Sequence, residues 1–198
     1  SVDANDLYNY LGIAGGDTSS LISSVMVQKQ DSGTGVKVKI ITQSNITKIT
    51  SNQYANAAIT AGVSDVEIDV ASVSKVTGES ALTGVYKALE ANGETLDPDR
   101  TQVAQDELET TNEIAQNNAD DSNFDSARLD QALVEIKQEL AQIKQNQGSA
   151  ATTEQVEQVV QDALKKFNLS DIISQDDIDK LIAFAKKYQN TSAIDSQE

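Results

Sequence analysis

One stretch constrains the fold of this chain more than any other: Ile49–Leu89, ITSNQYANAAITAGVSDVEIDVASVSKVTGESALTGVYKAL. Ser51 is an expected N-cap for a helix running to Ala61, with Gly62 just past its end. Tyr54, Ala55, Ala58 and Ile59 give that helix one apolar side. Asp65–Ala71 then alternates: Val66, Ile68 and Val70 fall on one face, Asp65, Glu67 and Asp69 on the other. An apolar face backed by a charged one predicts a strand in a sheet solvated on one side. Thr77-Gly78 opens a second helix, to about Ala91, whose Leu82, Val85, Tyr86 and Leu89 form a core-facing stripe. A small-residue line, Ala81, Gly84 and Ala88, runs beside it. Gly84 in mid-helix costs about 1 kcal/mol relative to Ala, which suggests close approach of another backbone.

Upstream, Asp3–Leu11 has a short helical pattern stopped by Gly12 and Gly15-Gly16. Two further strands are predicted. In Leu21–Lys29, Leu21, Val25 and Val27 oppose Ser24, Met26 and Gln28; in Val36–Thr42, Val36, Val38 and Ile40 oppose Lys37 and Lys39. The intervening Asp31–Gly35, DSGTG, is rich in turn formers, so the two runs read as a β-hairpin. A long-range expectation follows from charge. The lysine face of Val36–Thr42 matches the acidic face of Asp65–Ala71, so these strands should be neighbours.

Downstream, Asp97-Pro98 starts a helix to about Gln116, with Asp as cap and Pro in the first turn. Its stripe, Val103, Leu108, Thr111 and Ile114, is weak. QNNADDSN, Gln116–Asn123, reads as a polar boundary between domains. Beyond it the pattern is helical. Leu129, Leu133, Ile136, Leu140 and Ile143 step by fours and threes, a short heptad seam. Two repeats suit packing within a bundle better than an independent coiled coil. Gly148 ends that helix, and Thr152 with Gln155 forms an expected capping box for the next. Its apolar face is Val156, Val159, Val160, Ala163, Leu164 and Phe167. Ser170 or Ser174 caps a last helix with Ile178, Leu181, Ile182 and Ala185 inward. The expectation is therefore an α+β domain over 1–117, mainly antiparallel with helices on one face; a helical region of about three helices over 122–190; and a frayed tail at 191–198.

Composition narrows the chemistry. His and Cys are both absent, which removes disulfides, thiolate metal sites, Cys nucleophiles and every His-based triad. The net charge of −16 repels polyanions, and no basic stripe is visible, so nucleic acid is not an expected partner. The acidity is uneven: residues 1–96 carry 10 acids and 6 bases, whereas residues 97–198 carry 21 and 9. Only two arginines, Arg100 and Arg128, are available for forked phosphate recognition. No apolar run is long enough to span a membrane, so no membrane insertion is expected.

Four groups of residues invite a chemical reading, and each has a simpler one. Gly78–Gly84 has the glycine spacing of a phosphate loop but lacks its Lys, and Glu79 would repel phosphate; a plain helix start is the simpler reading. Asp121, Asn123 and Asp125 have the first spacings of a calcium loop. Ser126 and Ala132 stand where that loop needs Gly and Glu, so a helix-capping linker is preferred. Asp65, Glu67 and Asp69 supply paired carboxylates, the means by which a His-free glycosidase would work, or a solvated sheet face. Tyr54 and Tyr86 lie on apolar stripes and read as core. No residue is therefore assigned as catalytic, cofactor-binding or metal-binding, and no cofactor is expected.

Tyr54–Ala57, Ile59–Val63 and Gly78–Gly84, with Tyr10-Leu11-Gly12, resemble a family of secreted Gram-positive bacterial proteins catalogued as domain of unknown function 1002. The resemblance covers about residues 5–115. It implies an extracellular location through a signal peptide not in this chain, and strand, helix and strand preceding the Tyr-Leu-Gly segment; it implies no activity. The expected function is a non-enzymatic extracellular binding or interaction module of unknown ligand, with a protein partner at a sheet edge or the helical region. A carboxylate-only hydrolase of glycan or cell wall, and a structural envelope or assembly protein using the helical region, are the alternatives.

Overall fold

The computed structural model describes residues 23–46, 49–72, 79–91 and 93–196. The expected Asp3–Leu11 helix, the Tyr10-Leu11-Gly12 motif and the Thr77-Gly78 helix start lie outside the described residues. The elements are β1 (Ser23–Lys29), β2 (Val36–Ile40), α1 (Ser51–Thr60), β3 (Val66–Ser72), α2 (Glu79–Ala91), α3 (Pro98–Asn117), α4 (Ser126–Gln147), α5 (Thr153–Lys166), α6 (Gln175–Tyr188) and a closing 3-10 turn (Ser192–Ser196). The chain divides into two compact units, 1–108 and 109–198, with the division inside α3. The class is α+β followed by a helical region.

The three described strands form a mixed sheet in the order β1-β3-β2. β2 and β3 are parallel neighbours, with Lys37 opposite Glu67 and Lys39 opposite Asp69, as their charges predict. β1 runs antiparallel to β3, pairing Val25 with Val70 and Val27 with Ile68. The expected hairpin does not form: β3 inserts between β1 and β2. The apolar faces do not distinguish the strands, since β2 and β3 each turn two Val and one Ile inward; what favours β3 in the centre is the match of its Glu67 and Asp69 to Lys37 and Lys39 and the bonds from its start to the 31–35 loop. In that central place Val66, Ile68 and Val70 are all but fully buried, whereas Val25, Val27, Val36, Val38 and Ile40 are partly buried.

Asp65 closes the split hairpin. It sits at φ 52°, where Asp is tolerated better than most side chains. Its Oδ1 accepts from the Gly33 N–H at 2.9 Å and the Gly35 N–H at 3.0 Å. Its carbonyl accepts from Gln30 N–H at 2.7 Å, and Val66 N–H donates to Gly35 O at 3.2 Å. The DSGTG loop is thus bonded mainly to the start of β3. At the far end, Ser72 N–H donates to Thr42 Oγ1 and Asn45 Nδ2 donates to Ser72 O, each at 2.7 Å.

Helix α1 carries the chain from β2 to β3. Its N-cap is Thr50, one residue before the expected Ser51, in a capping box with Gln53. α1 packs on β2 and α2 on β1, and their Tyr54, Ala57, Ala58, Leu82, Val85, Tyr86 and Leu89 join the inner sheet face in one core. Arg100 of α3 donates to the carbonyls of Thr60 (2.9 Å) and Ile59 (3.1 Å), so a cation closes the C-terminal end of α1. Asp97 caps α3 through the Asp99 N–H, as expected.

In the second unit α4, α5 and α6 pack together. The heptad seam is spent internally: Leu129, Leu133, Ile136 and Leu140 are buried and Ile143 is half-buried. Gly148 at φ 72° ends α4, Thr152 and Gln155 form the capping box of α5, and Ser174 caps α6. Buried Asp177 accepts from Asn117 Nδ2 (3.0 Å) and Asn118 Nδ2 (3.1 Å), tying the end of α3 to the start of α6. Gln189 bonds both the N–H and the carbonyl of Ala151. The expected frayed tail is instead a packed turn over Ser192–Ser196. Ala193 and Ile194 are buried, and Lys144 holds Asp195 at 2.5 Å. Two apolar side chains in sequence offset the cost of ordering the chain end.

Candidate functional site

The alternation of three strands builds the outer face of the sheet. Helices cover the inner face, so the outward residues fall into rows across the strands. One row is Gln28, Glu67 and Lys37; the next is Met26, Asp69 and Lys39; the last is Ser24 and Ala71, with Ile41 at the same level through its N–H bond to Val70 O. A column of acids is flanked on one side by lysines and on the other by uncharged side chains. At the end beyond Asp69 the surface turns apolar: Met26 is 59% and Ile41 51% exposed. These are the only large hydrophobics so exposed among the described residues. Asp69 Oδ1 is shielded from solvent and has no hydrogen-bond partner. Scattered exposed hydrophobics are ordinary; these two share one sheet face beside the charged column.

The residues singled out for chemistry are distributed as follows. Asp65 is the loop anchor described above. Glu67 and Asp69 share the open face, two residues apart, with Lys37 and Lys39 opposite. Asp121 Oδ1 accepts from the backbone and side-chain amides of Asn123, and Asp125 Oδ1 accepts from Ala127 N–H as the N-cap of α4. Arg128 donates to Asn123 O at 3.1 Å and lies 3.7 Å from Asp125 Oδ2, so Asp125 is engaged by a guanidinium as well as by the start of α4. Among the described residues no group of three or more acids has metal-binding geometry. Gly78 lies outside the described residues. Tyr54 and Tyr86 are buried core.

One buried polar group was invisible to pattern reading. Thr60 Oγ1 donates to Glu107 Oε2, both all but fully buried. Tyr86 is fully buried nearby; burial, and then the Glu107 charge, push its phenol well above the ordinary value. Thr60, Tyr86 and Glu107 belong to three helices far apart in sequence, and an acid in a weakly patterned helix carries no signal of such a contact. The cluster reads as a structural tie between α1 and α3. Met26 did carry a signal, being the one apolar residue on the otherwise polar face of β1.

The described residues define the class: a small mixed-sheet α+β unit, followed in the chain by a three-helix unit. The chain belongs to the family described as "Protein of unknown function (DUF1002)", whose model matches residues 1–198. It is 33% identical over 169 residues to the uncharacterized protein YpuA of Bacillus subtilis (strain 168), covering 85% of this chain and 52% of that protein. The chain thus spans about half the length of that curated relative. No solved structure matches. No helix among the described residues is long and apolar enough to cross a membrane.

Proposed function

We propose that this chain is a non-enzymatic interaction module acting outside the cell, and that its ligand lies on the outer sheet face around Met26, Asp69 and Ile41. One observation carries the reading. The carboxylates that would have to do chemistry are placed as loop anchors, helix caps or an open row beside lysines, while the exposed apolar side chains share that same face. Extracellular action rests on the family resemblance. The heptad seam lies buried within its own unit, so it lends no support to an assembly role for the helical region.

Two measurements test this. Backbone amide shifts of the protein titrated with soluble peptidoglycan fragments, and with extended peptides of mixed apolar and basic character, should move at Met26, Asp69 and Ile41 and not on the inner face. In parallel, incubation with cell-wall polymer should release no product. Turnover that disappears in Glu67→Gln or Asp69→Asn would establish the hydrolase instead. Shifts confined to the helical unit would remove the site from the sheet.

A further inference from the structure

The two edge strands of the sheet are not equivalent. Among the described residues β1 and β2 each pair only with β3. An exposed edge is a template for another strand, and proteins commonly guard it with lysine. β2 is guarded: Lys37 and Lys39 stand on its outer face. β1 reads Ser-Ser-Val-Met-Val-Gln-Lys and carries no charge before its last residue. We infer that β1 is a self-pairing edge, and that two copies of this chain join through it, antiparallel about a two-fold axis at Met26.

The register can be derived. Gln30 N–H bonds to Asp65 O. Backbone groups alternate in direction along a strand, so the even-numbered residues of β1 face β3, and Val25, Val27 and Lys29 turn their N–H and C=O groups to the outer edge. An antiparallel pairing centred on Met26 sets Val25 against Val27 of the second copy, and the reverse, with both pairs using those outward groups. Met26 then faces its own copy across a non-hydrogen-bonded site, Ser24 faces Gln28, and Lys29 faces Ser23. No like charges meet. The same operation on β2, centred on Val38, would set Lys37 against Lys39 twice over. The charge pattern therefore selects β1 and rejects β2.

The isologous pairing turns two three-stranded sheets into one of six strands. It extends the row of partly buried Val25 and Val27 and sets the two Met26 side chains next to each other on the outer face. A contact built on seven-residue strands falls below the roughly 1,200 Å² of stable complexes, and each copy carries a charge of −16. The dimer is therefore weak, grows with concentration, and strengthens as salt screens the repulsion.

Met26→Cys and Ile41→Cys each place a single thiol in a cysteine-free chain at similarly exposed positions, on opposite edges. In the inferred dimer the two Met26 Cα atoms stand about 4.5 Å apart, within disulfide reach. Under mild oxidation Met26→Cys should form disulfide-linked dimer and Ile41→Cys should not. In sedimentation, the wild-type weight-average mass should rise with concentration and with salt, whereas Met26→Lys should stay monomeric with an unchanged far-UV spectrum. Equal cross-linking of the two cysteine variants, a wild-type monomer at every concentration, or a dimer that survives Met26→Lys would each overturn the inference. A monomeric result would leave the ligand-binding reading of the sheet face intact, because that reading is scored by titration and not by mass.

Discussion

Replacing Asp65 tests the idea that the β1–β2 loop is held by β3. Asp65→Ala removes the acceptor of two backbone N–H bonds, at 2.9 and 3.0 Å, and puts Ala at φ 52°. A hydrogen bond to a charged group is worth about 1.5–3 kcal/mol net, and this carboxylate is partly exposed, so about 1 kcal/mol for each is the fair figure. The left-handed conformation adds about 1 kcal/mol for Ala. The expected loss is about 3 kcal/mol. Asp65→Asn keeps both the acceptor oxygen and the tolerance of positive φ, and should lose less than about 1 kcal/mol. Asp65→Gly relieves the backbone but not the missing acceptor, and should fall between. The chain has no Trp, so denaturation is best followed by far-UV circular dichroism, with amide exchange at Gly33 and Gly35 as the local readout. The order Asn, Gly, Ala is the prediction. Equal losses for Asn and Ala would show that charge, not bond geometry, matters. Unchanged protection of Gly33 and Gly35 in the Ala variant would refute the anchor outright.

Three further outcomes are expected. The Tyr86 phenol is held neutral in the fold, so above the ordinary Tyr pKa of about 10 the unfolded chain ionises and the folded one does not. Stability then falls with rising pH by up to about 1.4 kcal/mol per unit until the folded value is reached. Tyr86→Phe should flatten that alkaline slope, and an unaltered slope in urea titrations at high pH would contradict the burial argument. Lys39→Glu sets like charges opposite Asp69 and should cost about 0.5 kcal/mol at low salt, with the penalty shrinking as salt is added; a salt-independent cost would point to a cause other than charge. Ile194→Ala should destabilise the helical unit by about 2–4 kcal/mol in thermal unfolding, whereas a neutral result would mean the chain end is not part of that core.

Apart from the Lys–acid match of two strands, the features legible from residues alone share one property: their partners are close in sequence. Thr152 with Gln155, Asp97 with the Asp99 amide, and Gly148 past the end of α4 are all local bonds or local backbone choices. Strand faces were legible because alternation is a backbone property. Met26 was visible on the solvent side of β1, yet its exposure and its company with Ile41 were not, since they depend on strand order. The Thr60–Glu107 contact and the Asn117 and Asn118 bonds to Asp177 join residues 47, 60 and 59 positions apart, and no periodic pattern records them.

Ile49–Leu89 by itself determined a helix, a strand with one apolar and one acidic face, and a second helix with a core stripe. Those follow from hydrogen bonding and side-chain direction within a few residues. The charges of Lys37, Lys39, Glu67 and Asp69 even reached across the chain, because opposite columns on adjacent strands attract whatever the connection. The insertion of β3 between two strands that read as a hairpin was settled only in three dimensions. There the pairing of the β2 lysines with the β3 acids, and the Asp65 bonds to a distant loop, outweigh the short connection that would otherwise have paired β1 with β2.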